Sequence, residues 1–183
     1  MPSTPVRLQD RVRVRYSPYV SDSARTRTVT WDDPAATAWR LTTEPGLDVL
    51  RRVVAGELPA PPMAKLMGLT LVAVDNGVAT FSAVPAEFHY NPAGVVHGGF
   101  AATLLDSAMG CAVFTTLQPG DTYTTVELKV NLIKTMTANT GLVRGTGRVL
   151  HRGSRTAVAE GRVEDASGVL LAHATTTCLV YKA

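Results

Sequence analysis

Much of what would announce a function is missing from this 183-residue chain. No apolar run approaches the ~20 residues that a membrane-spanning helix needs, and no apolar stretch follows the first Arg residues to make a signal peptide. A cytoplasmic location is therefore expected. Cysteine is scarce: Cys111 and Cys178 stand far apart with no CxxC or Cys/His cluster around them. Free, buried thiols are expected rather than a metal site or a disulfide framework. No Gly-x-Ser-x-Gly elbow, phosphate-binding loop, Gly-x-Gly-x-x-Gly after a strand or metal-ligand spacing occurs. Acyl-serine chemistry, nucleotide hydrolysis and metallo-hydrolysis thus lack a basis in the sequence.

The net charge of +3 hints at nucleic acid until it is located. Arg7, Arg11, Arg13, Arg15, Arg25 and Arg27 face only Asp10 and Asp22 within the first 30 residues, whereas the rest of the chain is nearly neutral. The basicity belongs to an N-terminal arm and not to the domain. Within the arm, the Arg/Val alternation of residues 11–16 suits a strand with one wet face. Few aromatic side chains are available for base stacking and no recognition helix follows, so an arm laid over the domain, or a tail, is preferred to a nucleic-acid contact. Residues 31–39, reading WDDPAATAW, offer an Asp cap, a Pro for a first helical turn and two indoles to pack. A short helix that docks the arm is expected there. The arm is placed at residues 1–45 and a single domain at 46–183.

Leu47, Leu50, Val53 and Val54 recur at the helical period, and Gly56 follows where a helix stop belongs. Pro59, Pro61 and Pro62 then bend the chain into one more helical turn ending near Gly68. Two short strands flank Asn76-Gly77, the strongest short-range hairpin cue. After an irregular loop comes HGGFAATLLDSAMG, residues 97–110, a helix that is small or apolar throughout except for Asp106. Four strand-like runs follow, at about 124–132, 142–150, 155–163 and 169–181, with residues 151–154 and 165–168 as turns. In the first of these runs, strict alternation puts Thr124, Val126, Leu128, Val130 and Leu132 on the apolar face. Gly145, Gly147, Ala157, Ala159 and Gly161 share one parity of the next two and leave room for something thick. A helix that is apolar nearly all round is most simply buried by six antiparallel strands curling about it, an α+β arrangement.

An ionisable group on such a helix is costly to bury, so Asp106 either reaches water at an edge or its charge is used. Gly98 and Gly99 bare the unpaired amides of the helix start, which can hold an oxyanion; equally, two glycines can simply let the loop turn. Eight residues separate Gly98 from Asp106, ~12 Å along one helix, too far to act on one carbonyl. Two antiparallel copies of the helix about a two-fold axis would bring the acid of one chain to the Gly-Gly turn of the other. Asn91 is either a hydrogen-bond donor to a ligand or a plain turn starter. His97 is either a base or a cap, and His89 and Tyr90 either touch a ligand or pack the loop. Met63, Leu66, Met67, Phe88, Met109 and Phe114 are candidates for a lipophilic pocket or for ordinary core.

At these residues the sequence resembles the hotdog-fold acyl-CoA thioesterases, specifically their phenylacetate-pathway (PaaI-like) branch. NPAGVVHGGFAATLLDSAMGCAV is similar to that family's segment entering and forming the central helix, and TTVELKVNLIK to the strand after it. The likeness spans residues 58–181. It implies a hotdog fold and hydrolysis of an acyl-CoA thioester, with Asp106 as the catalytic acid, acting as general base or as nucleophile. It implies that the Gly98 amide polarises the carbonyl beside Gly99, that Asn91 holds the thioester or water, and that His97 supports the loop. By the same likeness Thr124 stands near the acid, and Arg152, Ser154 and Arg155 hold the nucleotide end of coenzyme A. No cofactor is implied beyond coenzyme A as part of the substrate, and the partner is a second copy, in a homodimer or a tetramer of dimers. A hotdog hydratase or dehydratase, or an acyl-CoA-binding sensor that does not hydrolyse, is the competing expectation.

Overall fold

The computed structural model describes residues 25–182, apart from the side chains of Ala36 and Thr37. The expected strand at residues 11–16 lies outside the described residues. Four short α-helices come first among the described residues: α1 (Ala35–Ala38), α2 (Arg40–Thr43), α3 (Gly46–Val54) and α4 (Pro62–Met67). The hairpin β1 (Leu69–Asp75) and β2 (Val78–Ala83) follows, then the long helix α5 (Gly98–Phe114). Last come β3 (Thr122–Leu132), β4 (Val143–Arg152), β5 (Thr156–Asp165) and β6 (Leu170–Tyr181).

All six strands form one antiparallel sheet in the order β1-β2-β4-β5-β6-β3. Helix α5 touches every strand, which requires the sheet to curl about it. Leu104, Leu105, Ala108, Met109, Ala112 and Val113 are wholly inaccessible. Each Leu or Met buried in this way stabilises the fold by ~1.5–3 kcal/mol. The small residues facing the helix are required sterically. A side chain at Gly147 would lie 2.4 Å from the Ala108 backbone, at Gly145 2.6 Å from Leu104, and at Gly161 2.9 Å from Leu105.

Turn chemistry follows the sequence closely. Gly68, after α4, and Gly77, in the hairpin, adopt the left-handed conformation at φ 69° and 74°. Asp33 Oδ1 accepts from the Ala35 amide and caps α1. Three expectations are corrected. The indoles of Trp31 and Trp39 do not pack inward, being 62% and 53% exposed, and Trp39 instead lies under the Arg40 guanidinium. His151 and Arg152 belong to β4 and not to the following turn, because a bulge between Val149 and His151 lets pairing with β5 continue to Arg152. On β3, a second bulge between Thr125 and Glu127 shifts the register against β6. One extra residue there reverses the face of everything before it, so that Thr125 rather than Thr124 turns toward α5.

The described part of the Arg-rich arm is laid on the domain. Arg25 pairs with Glu87 at 2.8 Å. Arg27 donates to the Leu66 carbonyl at 2.6 Å and stacks over the Phe88 ring at 4.0 Å. No helix among the described residues is long and apolar enough to cross a membrane.

Candidate active site

The loop before α5 is held by its own polar groups. Asn91 Oδ1 accepts from the amides of Ala93 at 2.9 Å and Val95 at 3.4 Å, an Asx turn that leaves the side-chain NH2 without an acceptor among the described residues. Tyr90 anchors the loop by accepting from the Ala138 amide at 2.8 Å. His89 is buried, with Nδ1 accepting from the Ala86 amide at 3.0 Å and Nε2 placed to donate to the Met67 carbonyl at 3.2 Å. Both ring nitrogens are thereby used in packing the loop. Burial lowers the His89 pKa, which the Met67 carbonyl partly opposes and the Arg27 charge reinforces.

At the mouth of α5, His97 Nδ1 accepts from the Gly99 amide at 2.8 Å. This is a helix cap, made possible by glycine, since a side chain at position 99 would sit 2.8 Å from that nitrogen. The Gly98 amide has no acceptor among the described residues. It carries the partial positive charge of a helix start. Gly98 and Asn91 border a cavity of about 230 Å3 together with Leu132, Lys134 and Met136. Lys134 was not singled out from the sequence, where a lone Lys after a strand has no distinguishing neighbours.

Asp106 is not in that cavity. It is half-buried farther along α5, and its Oδ1 accepts from Thr125 Oγ1 at 3.0 Å. The hydroxyl assigned to Thr124 is exposed; Thr125 was missed because alternation was read through the bulge. Cys111 lies five residues on, and burial, with the Asp106 charge, pushes its thiol up to about 12. A thiolate is the nucleophilic form, so Cys111 is inert at neutral pH. Cys178 is also free and buried.

Arg152 makes different contacts from Ser154 and Arg155. The Arg152 guanidinium turns inward, 3.6 Å from buried Asp121, which Lys182 also binds at 2.9 Å. Those contacts hold the Asp121 carboxyl below its usual range, the Lys182 hydrogen bond most of all. Arg152 therefore ties β4 to the start of β3, and Ser154 and Arg155 are exposed in the turn beyond. Among the described residues there is no group of three or more His, Cys, Asp or Glu side chains able to hold a metal ion.

Comparison with known proteins covers the segment that contains this helix. The Thioesterase superfamily matches residues 93–172, from the loop just after Asn91 to the start of β6. A phenylacetic acid degradation-related protein of Ralstonia eutropha JMP134, solved by crystallography, is 32% identical, covering 71% of this chain and 98% of its own at a TM-score of 0.64. A conserved protein of Pseudomonas aeruginosa is also 32% identical, over 67% of this chain and 95% of its own, at a TM-score of 0.62. A 1,4-dihydroxy-2-naphthoyl-CoA hydrolase of Listeria monocytogenes is 27% identical over 120 residues, 66% of this chain and 96% of that one. The chain belongs to the thioesterase superfamily and is a hotdog-fold thioester hydrolase.

Proposed function

We propose that the protein hydrolyses an acyl-CoA thioester to the free acid and coenzyme A, at a site shared between two copies of the chain. The observation that carries this reading is the separation on α5. The Gly98 amide and the Asn91 donor border one cavity, and the only carboxylate on the helix lies outside it, ~12 Å away. A two-fold axis relating antiparallel copies of α5 would close that gap.

The edge of the sheet supports the pairing. β3 is terminal in the strand order, 11 residues long, and leaves Val126 and Leu132 57% and 61% exposed. An open edge of that length with apolar side chains is a template for a second strand. Pairing β3 with β3 of the partner also sets the two α5 helices antiparallel. The Listeria relative's name, a hydrolase of an aryl-CoA, supports coenzyme A as the leaving group.

In this mechanism Asp106, held by Thr125, takes a proton from water, whose oxygen attacks the thioester carbonyl carbon. Charge accumulates on the carbonyl oxygen and is met by the amide of Gly98 of the partner subunit, at the positive end of a helix. Asn91 of the partner subunit supplies a further donor through its side-chain NH2. Collapse breaks the carbon–sulfur bond, and the coenzyme A thiolate recovers the proton from Asp106.

Mixed dimers test the sharing. Asp106→Asn and Gly98→Trp should each be inactive alone. Mixed after unfolding and refolding, half the dimers pair the two variants and carry one intact site of two, restoring about a quarter of wild-type thiol release. No recovery on mixing, or full activity from a monodisperse monomer by light scattering, refutes the shared site.

A further inference from the structure

A second and larger cavity, about 550 Å3, lies at the other end of α5. Its inner wall is Cys111 and Phe114 of α5, Leu71 and Phe81 of the hairpin, and Thr122 and Tyr123 of β3. Its outer wall comes from residues 32–64, chiefly Val49, Leu50 and Val53 of α3 and the proline-rich stretch after Leu58. That outer wall precedes the segment matched by the superfamily. The volume is in the range that binds small ligands. The inner surface carries no charged side chain, since Asp32 and Asp33 are exposed and contribute from the N-terminal segment.

Two placements join this cavity to Asp106. Tyr123 and Thr125 lie two apart on the same face of β3. Thr125 holds the acid, while Tyr123 lines the cavity and rests its hydroxyl on Gly110, where any side chain would be 2.7 Å from it. Along α5, Cys111 is five residues past Asp106, ~7.5 Å. The cavity thus begins ~7.5 Å beyond the carboxylate along α5, on the side away from the Gly98 amide of its own chain. Burial holds the Tyr123 phenol well above its usual range, so the hydroxyl that lines the cavity stays neutral.

Resting on the thioesterase reading, we propose that this cavity receives the acyl group of the substrate, an apolar medium-chain alkyl or aryl group, and that residues 32–64 set which acyl groups fit. A short acyl group stops at the carboxylate and never enters. Each methylene that does enter gains about fourfold in affinity from its removal from water. A charged terminus on the acyl group would meet no partner inside and is excluded.

Thiol release from acetyl-, hexanoyl-, decanoyl- and phenylacetyl-CoA, by wild type and Ala60→Trp, tests the assignment. Ala60 is half-buried in the outer wall and has no part in the acid or amide machinery. Wild type should prefer decanoyl- or phenylacetyl-CoA to acetyl-CoA by tenfold or more in kcat/KM. Ala60→Trp should lose at least tenfold on the larger substrates and stay within twofold on acetyl-CoA. Val53→Phe, which fills the cavity from α3, provides the same comparison should Ala60→Trp fail to fold. Calorimetric binding of decanoyl-CoA and of free coenzyme A to Asp106→Asn, with and without the wall substitution, supplies a readout independent of turnover; only decanoyl-CoA binding should weaken. Hydrolysis with an unmoved chain-length profile overturns the cavity assignment and leaves the thioesterase reading standing. No hydrolysis, with the binding difference intact, overturns the thioesterase reading and leaves the cavity assignment standing.

Discussion

At its N-terminal end α5 carries the His97 cap and meets about 230 Å3 of space bordered by Asn91, Lys134 and a Gly98 N–H with no acceptor among the described residues. At its C-terminal end the same helix meets an apolar cavity of about 550 Å3 and is closed off by α3, where Gly46 packs so tightly on the Phe114 carbonyl that no side chain fits. Asp106 is eight residues from Gly98 and eight from Phe114, ~12 Å from either end. A helix with no polar face of its own places polarity at its ends, and antiparallel pairing of two copies would bring the midpoint carboxylate of one to the polar end of the other. In the proposed reading the partner's polar end supplies stabilisation of charge, and the chain's own apolar end supplies selection.

Removing the midpoint has the largest expected effect. Asp106→Asn should lower kcat by about 10³-fold, in the range of a lost general base. It keeps an acceptor for Thr125, so stability should shift by no more than about 0.5 kcal/mol in denaturant melts. Comparable loss of stability and rate would make Asp106 a structural residue and dissolve the division between the ends. Next, Phe114→Ala should cost about 3 kcal/mol of stability, near the low end for such truncations because its ring already borders a cavity. Turnover of acetyl-CoA should survive that change in protein still folded at the assay temperature, while the preference for larger acyl groups falls. If acetyl-CoA turnover fell in parallel, the two ends would not be separable. Third, Thr125→Val should cost about tenfold in kcat/KM, the value of one hydrogen bond to a charged group, and Thr124→Val should stay within about twofold. Equal effects would contradict the bulge.

That bulge shows where the sequence stops being informative. The helix, its acid and the glycines that let it lie on β4 and β5 are legible because each is a local pattern with one steric solution: Gly145, Gly147 and Gly161 have no other use on one parity. The choice between Thr124 and Thr125 depends on a single unpaired residue near Val126, and nothing in TYTTVEL marks it. Arg152 reads as an exposed turn cation until a bulge just before it, between Val149 and His151, carries it into β4 and toward Asp121. The large cavity is less legible still. Its walls come from α3, the hairpin, α5 and β3, and of the six residues singled out as possible pocket walls only Phe114 lines it; Met109 is core, and Met63, Leu66 and Phe88 are exposed. Periodicity reports the face of one element, while a cavity is a failure of several faces to meet.

The smallest expected effect concerns the polar end alone. The N-terminal turn of α5 rests on His89: the Phe100 ring is 4.5 Å from the imidazole, and the His97 amide donates to the His89 carbonyl at 2.8 Å. His89 accepts a hydrogen bond at Nδ1, which a protonated ring cannot do, and its folded pKa is lowered mainly by burial. A lowered pKa means that the unfolded chain takes up the proton first. The stabilisation is therefore fully present above about pH 6.5, the unfolded value, and is lost as pH falls through the folded pKa. Asp121, Asp165 and Glu44, whose carboxyl pKa values are also lowered, lose their contributions in a separate window below about pH 4. Between pH 7 and pH 5, thermal melts of wild type should drop more steeply than those of His89→Gln, which cannot titrate. Parallel slopes would show that the polar end of α5 does not depend on a neutral His89, and would leave the cap at His97 as its principal support.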